Sequence, residues 1–359
     1  MDCRWWQSGK VFKEENNQRK QMKCIYNLEG KNKAVVLFKF LAAFLITYSH
    51  MKVLFPKYDG LVTGGAIGDA LFFFCSGFTL FLGRKSNFAN WYGRRVNRIY
   101  PSIIMWALVS ALVFGWVWNV TDLLTTPRYW FIPCIMVYYA IFYVIRELLA
   151  EHLKAVFYVS LALITVASFF ILDMSSSVMY AQVSFMRVYY FIFMLMAAIT
   201  AVDMKREQKE RVFGFLQKGC GGGYLRPAVL FAVSLVLYYA CMAVYKLGPF
   251  YCQFQMVSLL PLMLSIYYLF AVCSNEKLLK VFEQPVAGNI IYMVSSLTLE
   301  IYLVQYAVFT DAMNGIFPLN IPIVYLMIFA VAYVLKCLSN LFSLVFAGED
   351  INIKSVCRI

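Results

Sequence analysis

The sequence predicts an all-α polytopic membrane protein, a bundle of about ten transmembrane helices with both termini on the inner side. The chain has 359 residues, of which 62% are hydrophobic and only 14% are charged, and its mean hydropathy is +0.68. Soluble domains of this length contain a smaller apolar fraction and more charge. The charged residues also fall in clusters between long apolar segments, which is typical of a chain that crosses a bilayer several times.

Ten apolar segments are long enough to span a bilayer as helices. A hydrocarbon core of about 30 Å needs about 20 residues at 1.5 Å per residue, and each segment has about 17–24. The predicted spans are 34–51, 66–83, 99–118, 129–146, 155–173, 187–203, 228–246, 254–274, 287–309 and 321–344. We therefore predict a transmembrane domain at 34–344, a polar inner segment at 1–33 and an inner tail at 345–359.

The distribution of lysine and arginine predicts the orientation. With the N-terminus inside, the inner segments hold 25 of the 32 basic residues and the outer loops hold five, while Lys39 and Lys336 lie within spans. Basic loops favour the cytoplasmic side, so this asymmetry predicts an N-in, C-in topology. It also accounts for the net charge of +13 without a nucleic-acid partner. The first thirty residues contain no apolar h-region, so we expect no secretory signal peptide.

The cysteines and the one glycine run are interpreted as structural features. Ten cysteines are scattered along the chain without the spacing of a metal site or a disulfide framework, so we expect no metal and no permanently bound cofactor. The basic loop at 205–226 contains three consecutive glycines at 221–223. Such a run can bind phosphate, but a flexible linker is the favoured interpretation.

Polar residues inside the first predicted span are the strongest functional signal. Lys39 and His50 lie eleven residues apart in an apolar segment, where ionisable groups are costly and usually functional. The ordinary pKa of imidazole lies near neutrality, so His50 could act as a general base towards a hydroxyl group. The alternative is a hydrogen-bonded histidine at a helix end. The only other histidine, His152, lies in a polar inner loop and is given no catalytic role.

Two carboxylates are expected at the depth of His50. Asp69 lies at the outer end of the second span, and the ninth helix runs outward from about residue 287, which places Glu300 about 20 Å from the inner face. We therefore expect these three groups to share an internal cavity, in which Asp69 or Glu300 orients the imidazole. In the alternative interpretation, Glu300 pairs with Lys39 or Lys336.

A basic cluster precedes the predicted third span on the inner side. Arg95 and Arg98 are three residues apart and therefore on one helix face, and Arg94 adjoins them. Guanidinium groups bind phosphate through two parallel hydrogen bonds, and the cytosol supplies acyl-coenzyme A, whose nucleotide end carries three phosphate groups. The simpler interpretation is that this loop only anchors the topology.

The order and spacing of these segments resemble the membrane-bound acyltransferase family 3, which includes O-acetyltransferases of cell-surface polysaccharides. Lys39 and His50 stand where the family has Arg and His, so lysine replaces the arginine. Gln305 stands where many members have His. The other matching positions are Asp69, Phe72, Phe73, Ser76, Gly77 and Phe78, then Arg95, Arg98, Ile99 and Pro101, then Trp130 and Phe131, and finally Ser296, Glu300, Ile301, Tyr302 and Leu303.

The resemblance implies transfer of an acetyl or other short acyl group from cytosolic acyl-CoA to a hydroxyl of a cell-surface glycan or lipid-linked sugar. The expected location is the bacterial inner membrane, and the protein acts alone or with polysaccharide-synthesis partners. Expected catalytic residues are His50, Asp69 and Glu300. Expected acyl-donor-binding residues are Lys39, Arg95 and Arg98. Further pocket residues are Ser76, Trp130, Tyr302 and Gln305.

Two other functions remain open at this stage. A transporter or flippase for a glycan or lipid-linked precursor would also use charged residues inside the membrane, although no internal repeat supports it. A non-catalytic subunit of a membrane assembly is the third interpretation.

Overall fold

The computed structural model describes residues 32–83, 86–125, 129–171, 183–204, 211–217 and 223–359, and no strand occurs in these ranges. Residues 1–31 of the predicted inner segment and half of the loop at 205–226, including Gly221 and Gly222, lie outside them. The longer helices are α1 (Lys33–Ser49), α2 (Gly65–Phe81), α3 (Phe88–Phe114), α4 (Phe131–Leu148), α5 (Leu153–Ile171), α6 (Val183–Asp203), α7 (Leu225–Ala243), α8 (Leu259–Cys273), α9 (Pro285–Ser296), α10 (Thr298–Val308) and α11 (Asn320–Ala347).

The prediction of an all-helical membrane protein is confirmed. In the part of the chain that the structure describes, seven helical segments are long and apolar enough to cross a membrane, and α9 with α10 forms an eighth if the bent pair is one span. Helices α1 and α6 cover the two other predicted spans but are not among the seven. Helix α1 has only 17 residues, fewer than the roughly 20 that a hydrocarbon core requires. The predicted count of ten and the N-in, C-in orientation therefore stay predictions.

Helix α3 begins eleven residues before the predicted third span. The side chain of Asn87 accepts a hydrogen bond from the backbone amide of Asn90 (3.0 Å), a typical N-cap. The helix ends at Phe114, before Gly115 in the left-handed conformation with φ of 67°. Hydropathy placed the start at the first apolar residue, whereas the capping side chain starts the helix within the polar segment. The basic cluster therefore lies inside α3 and not before it.

The predicted ninth span is broken near its middle. Helices α9 and α10 meet at an angle of 78°, with Leu297 between them. The amide of Leu297 still donates to the carbonyls of Met293 and Val294, so the first helix closes normally before the chain turns. A new helix N-terminus is thereby created inside the bundle. The predicted ninth helix is therefore not continuous, and the expected depth of Glu300 stays a prediction.

Glycines set the distance between α2 and its two neighbours. A Cβ atom at Gly77 would lie 2.2 Å from the carbonyl oxygen of Met194 on α6, and one at Gly68 would lie 2.9 Å from the amide nitrogen of Ile46 on α1. Both separations are shorter than a nonbonded contact allows. The glycine of the Ser-Gly-Phe segment is thus needed for close helix packing, which holds α2 between α1 and α6.

Candidate active site

A basic cavity of about 370 Å³ lies among α1, α2, α3, α4, α10, α11 and the end of α9. We call it the arginine cavity. Five basic side chains and a single carboxylate line it, so its walls carry an excess of positive charge. The structure thus brings the three expected donor-binding residues together, although they come from helices distant in sequence. The ionisable lining residues are Lys39, Arg94, Arg95, Arg98, Tyr139, Glu300 and Lys336.

The three arginines of α3 differ in how firmly they are held. Arg95 donates to the carbonyl oxygen of Trp91 (2.6 Å), and its guanidinium lies 3.9 Å from the centroid of the Trp91 ring. Arg94 donates to the hydroxyl of Ser86 (2.7 Å). Arg98 has no hydrogen bond or ion pair within the described ranges. Its planar fork of donors is therefore available to an anionic ligand in the cavity.

Glu300 is bound within the wall of the arginine cavity. Its side chain is almost fully buried, at 1% exposure, and one oxygen accepts a hydrogen bond from Ser102 (2.7 Å) on α3. The ammonium of Lys336 on α11 lies 3.3 Å from the same oxygen. The ion pair with Lys336, which was the alternative expectation, is therefore present. Glu300 belongs to the first turn of α10, beyond the bend, and its expected depth relative to His50 stays a prediction.

A second and much smaller cavity adjoins the first. We call it the aspartate pocket; its volume is about 20 Å³. Four of its lining residues, Phe72, Phe131, Thr298 and Leu299, also line the arginine cavity, so the two spaces meet. The rings of Phe72 and Phe131 pack edge to face with centroids 4.8 Å apart at this junction. The other lining residues are Ala43, Ile46, Thr47, Asp69, Ile301 and Tyr302.

Aromatic side chains support Asp69 from behind the pocket. The hydroxyl of Tyr190 on α6 donates to Asp69 Oδ2 over 3.3 Å. Trp130 stacks on the Tyr190 ring with centroids 5.9 Å apart, and the guanidinium of Arg187 lies 5.4 Å from the Trp130 ring. Trp130 therefore contacts the group that holds Asp69, and it lines neither cavity.

His50 is the C-cap residue of α1 and lies one helical turn beyond the aspartate pocket. It follows Thr47 by three residues, so the two side chains share a helix face and are separated by about 4.5 Å along the axis. The imidazole ring packs against Tyr306 of α10, with centroids 5.0 Å apart. Across the described residues, no hydrogen bond or ion pair joins His50 to Asp69 or Glu300. The expectation that a carboxylate orients the imidazole is thus not met by a direct contact.

The remaining expected pocket residues take three different positions. Tyr302 lines the aspartate pocket and packs against Tyr129, with centroids 5.6 Å apart. Ser76 lines the arginine cavity, and its hydroxyl donates back to the carbonyl of Phe72 (3.1 Å). Gln305 is fully buried, and neither side-chain atom of its amide has a partner in the part of the chain described.

Sequence reasoning missed three residues that the fold brings to the site. Thr47 could have been found, because it precedes His50 by three residues on the same predicted helix face. Tyr190 and Tyr306 carried no signal, since the chain has 25 tyrosines and each of these lies in an apolar run. Within the described ranges, no group of three or more His, Cys, Asp or Glu side chains could hold a metal ion.

The apolar helices and the polar interior define an integral membrane protein with an internal site. A family model described as an acyltransferase domain matches residues 32–338, so the chain belongs to acyltransferase family 3. The matched range includes every expected site residue and all the residues that line the two cavities. It confirms the resemblance and shows that the protein is a membrane acyltransferase, which implies a lipid bilayer and an acceptor substrate. No curated protein and no solved structure matches the chain.

Proposed function

We propose that this protein transfers an acetyl group from cytosolic acetyl-CoA to a hydroxyl of a cell-surface glycan or lipid-linked sugar, in the bacterial cytoplasmic membrane. The observation that carries the proposal is the junction of the two cavities. A wide basic space leads into a small pocket, and His50 lies one helical turn beyond that pocket. This order matches the order of groups in an acyl-CoA, from phosphates through a flexible arm to a thioester.

The arginine cavity suits the phosphate-bearing end of the donor. Five basic groups face one buried carboxylate that is already paired, so the cavity favours an anion. Lys39 and His50 are eleven residues apart on α1, or about 16 Å. An extended pantetheine arm spans on the order of 15–20 Å by the geometry of extended chains. Phosphates near Lys39 and Arg98 would therefore place the thioester close to His50. The proposal includes the N-in, C-in orientation, which puts the arginine cavity on the cytosolic side.

The volume of the aspartate pocket supports a short acyl group. A space of about 20 Å³ holds roughly one water molecule or one methyl group. Phe72 and Phe131 restrict the junction from which a longer chain would have to extend. Acetyl is the smallest group that keeps a methyl beyond the carbonyl carbon, and it is the acyl group we propose.

Direct transfer from donor to acceptor fits the residues present. His50 accepts the proton of the acceptor hydroxyl as its oxygen attacks the thioester carbonyl carbon. The carbon–oxygen bond forms, the carbon–sulfur bond then breaks, and the departing thiolate takes the proton from the imidazolium. The products are the ester and free coenzyme A. We propose that Asp69, held by Tyr190, positions the acceptor, and that Glu300 holds the wall of the donor cavity through Lys336 and Ser102.

The test compares the two histidines in inside-out membrane vesicles from expressing bacteria. The readout is the transfer of label from radiolabelled acetyl-CoA into the glycan and lipid fractions. We expect His50→Ala to lower turnover by about 10²–10⁴, the usual contribution of a general base. His152→Ala is the matched control and should keep native turnover, because that residue lies outside both cavities.

Near-native turnover in His50→Ala would remove this residue from the mechanism. Absence of labelled ester with the native protein would remove the acetyl-CoA reaction itself.

A further inference from the structure

Thr47 carries a buried hydroxyl that has no partner in the described part of the chain. Its exposure is 1%, its Oγ1 atom is buried, and the residue lines the aspartate pocket. Helical Ser and Thr hydroxyls inside membranes ordinarily donate to the carbonyl three or four residues earlier. Thr79 donates to Cys75 in this way (2.9 Å), and Thr200 donates to Met196 (2.8 Å). Thr47 does not, so its O–H group is available to a molecule in the pocket.

The N-terminus of α10 faces the same pocket. The first amides of a helix have no acceptor within it, and here the first intrahelical bond is donated by Ile301 to Leu297 (2.8 Å). The amides of Thr298, Leu299 and Glu300 precede that bond, and none has another backbone partner in the described ranges. Because the chain turns by 78° at Leu297, this eleven-residue helix begins inside the bundle.

We propose that the Thr47 hydroxyl and the N-terminal amides of α10 form the oxyanion hole of the acyl transfer. The inference rests on the proposed function and assigns a further catalytic residue to it. Thr298 and Leu299 line both cavities, so a donor passing from the arginine cavity brings its thioester to them. His50 lies one turn beyond Thr47 on the same face of α1, where the acceptor hydroxyl would meet the carbonyl carbon.

The charges around the pocket agree with this placement. The thioester oxygen becomes negative as the acceptor attacks, and hydrogen-bond donors fixed around that oxygen stabilise the transition state. A helix N-terminus adds the positive end of the helix dipole. Asp69 approaches from α2 and would repel the oxyanion, so the oxygen belongs on the side of α1 and α10. The negative charge of Glu300 is compensated by Lys336 and by the hydrogen bond from Ser102.

Thr47→Val is the decisive variant, because it replaces the hydroxyl with a methyl group of similar volume. We expect kcat to fall about 10²- to 10³-fold, the range for removal of one oxyanion-hole donor. The KM for acetyl-CoA should stay within about twofold, since the donor's phosphates bind elsewhere. Thr47→Ser keeps the hydroxyl and should recover most of the turnover.

Thr200→Val is the matched control. This residue is equally buried, at 4% exposure, but its hydroxyl is already bonded to Met196 and it lies outside both cavities. It should keep the native kcat and lose some thermal stability. Thr47→Val should lose no stability, because its hydroxyl has no protein partner to leave unpaired.

Three results overturn the inference. The first is a native kcat in Thr47→Val while the native protein transfers acetyl groups; that leaves the proposed function intact. The second is an equal loss in Thr47→Val and Thr47→Ser, which would show that shape and not the hydroxyl matters. The third is absence of transfer by the native protein, which removes the proposed function first. If Thr47→Val fails to fold, Thr47→Ala is measured against Thr47→Ser with the same criteria.

Discussion

The arginine cavity and the aspartate pocket share four lining residues but differ in volume, charge and polarity. The first has a volume of about 370 Å³ and five basic groups, whereas the second has about 20 Å³, a single carboxyl group and largely apolar walls. A wide charged space can bind a large anionic molecule without fixing its reactive end. A small, largely apolar pocket contacts only a few atoms and can fix their position. We infer that binding and chemistry are divided between the two spaces.

This division between binding and chemistry predicts different kinetic effects for substitutions in the two cavities, and experiments can contradict it. Substitutions in the arginine cavity should raise the KM for the donor, because they remove interactions present equally in the ground state and the transition state. Substitutions at Thr47 in the pocket and at His50 one turn beyond it should lower kcat. A variant of the arginine cavity that lowers kcat and leaves donor affinity unchanged would contradict the division.

The largest effect expected in the arginine cavity belongs to Arg98→Ala. Its guanidinium has no hydrogen-bond or ion-pair partner in the described structure, so all of its N–H donors can bind a phosphate. Loss of a charge-assisted hydrogen bond costs about 1.5–3 kcal/mol, which corresponds to a rise of roughly 10- to 150-fold in the dissociation constant of acetyl-CoA. Titration of purified protein with acetyl-CoA measures it.

Two further variants sharpen the Arg98 experiment. Arg98→Lys keeps the charge but loses the fork, so its donor affinity should lie between that of the native protein and that of Arg98→Ala. Arg226→Ala removes an exposed arginine of α7 outside the cavity and should bind acetyl-CoA normally. Unchanged affinity in Arg98→Ala would leave this arginine with a topological role only.

A smaller effect, on stability, is expected from Glu300→Gln. The substitution leaves Lys336 without its anion, although the lysine side chain is 23% exposed and water partly compensates it. Breaking a fully buried pair costs about 3–5 kcal/mol, so we expect about 1–2 kcal/mol here, with a lower melting temperature and a modest loss of turnover. Thermal unfolding and turnover are measured on the same preparation.

The double variant Glu300→Gln with Lys336→Met serves as the control for that pair. It removes both charges and should recover part of the lost stability. If Glu300→Gln instead abolished turnover at an unchanged melting temperature, Glu300 would join the chemistry and the division between the two cavities would fail.

The sequence predicted the helical class because it depends on local patterns, and local spacing also placed two pairs of polar residues. Lys39 and His50 share one helix, and Arg95 and Arg98 share another, so spacing alone placed each pair on its element. The bend in the predicted ninth span was not predicted, and the expected depth of Glu300 depended on a continuous helix. The bend at Leu297 has no proline or glycine beside it, only Ser295 and Ser296, which are weak signals.

The junction of the cavities could not be predicted for a different reason. It requires α1, α2, α4 and α10 to meet, and no local pattern records which helices of a bundle are neighbours. Gly77 and Gly68 indicate that α2 packs closely, but the partners, Met194 and Ile46, are identified only by the fold. Tyr190 supports Asp69 across 121 residues of sequence, a distance beyond the reach of spacing rules.

The smallest effect expected concerns the width of the junction between the two cavities. It tests whether this junction selects the length of the acyl chain. Phe72 lies on both cavities and packs against Phe131 with ring centroids 4.8 Å apart. Phe72→Leu removes part of this restriction. We expect kcat/KM for butyryl-CoA relative to acetyl-CoA to rise about fivefold, or about 1 kcal/mol, a value in the range for one or two methylenes in an apolar pocket.

Phe142→Leu removes an equally large buried ring outside both cavities and should leave the ratio unchanged. A ratio unaffected by Phe72→Leu would show that the walls of the pocket do not select acyl length. In that case the small pocket beside Asp69 would receive the acceptor, and the acyl chain would lie in the arginine cavity.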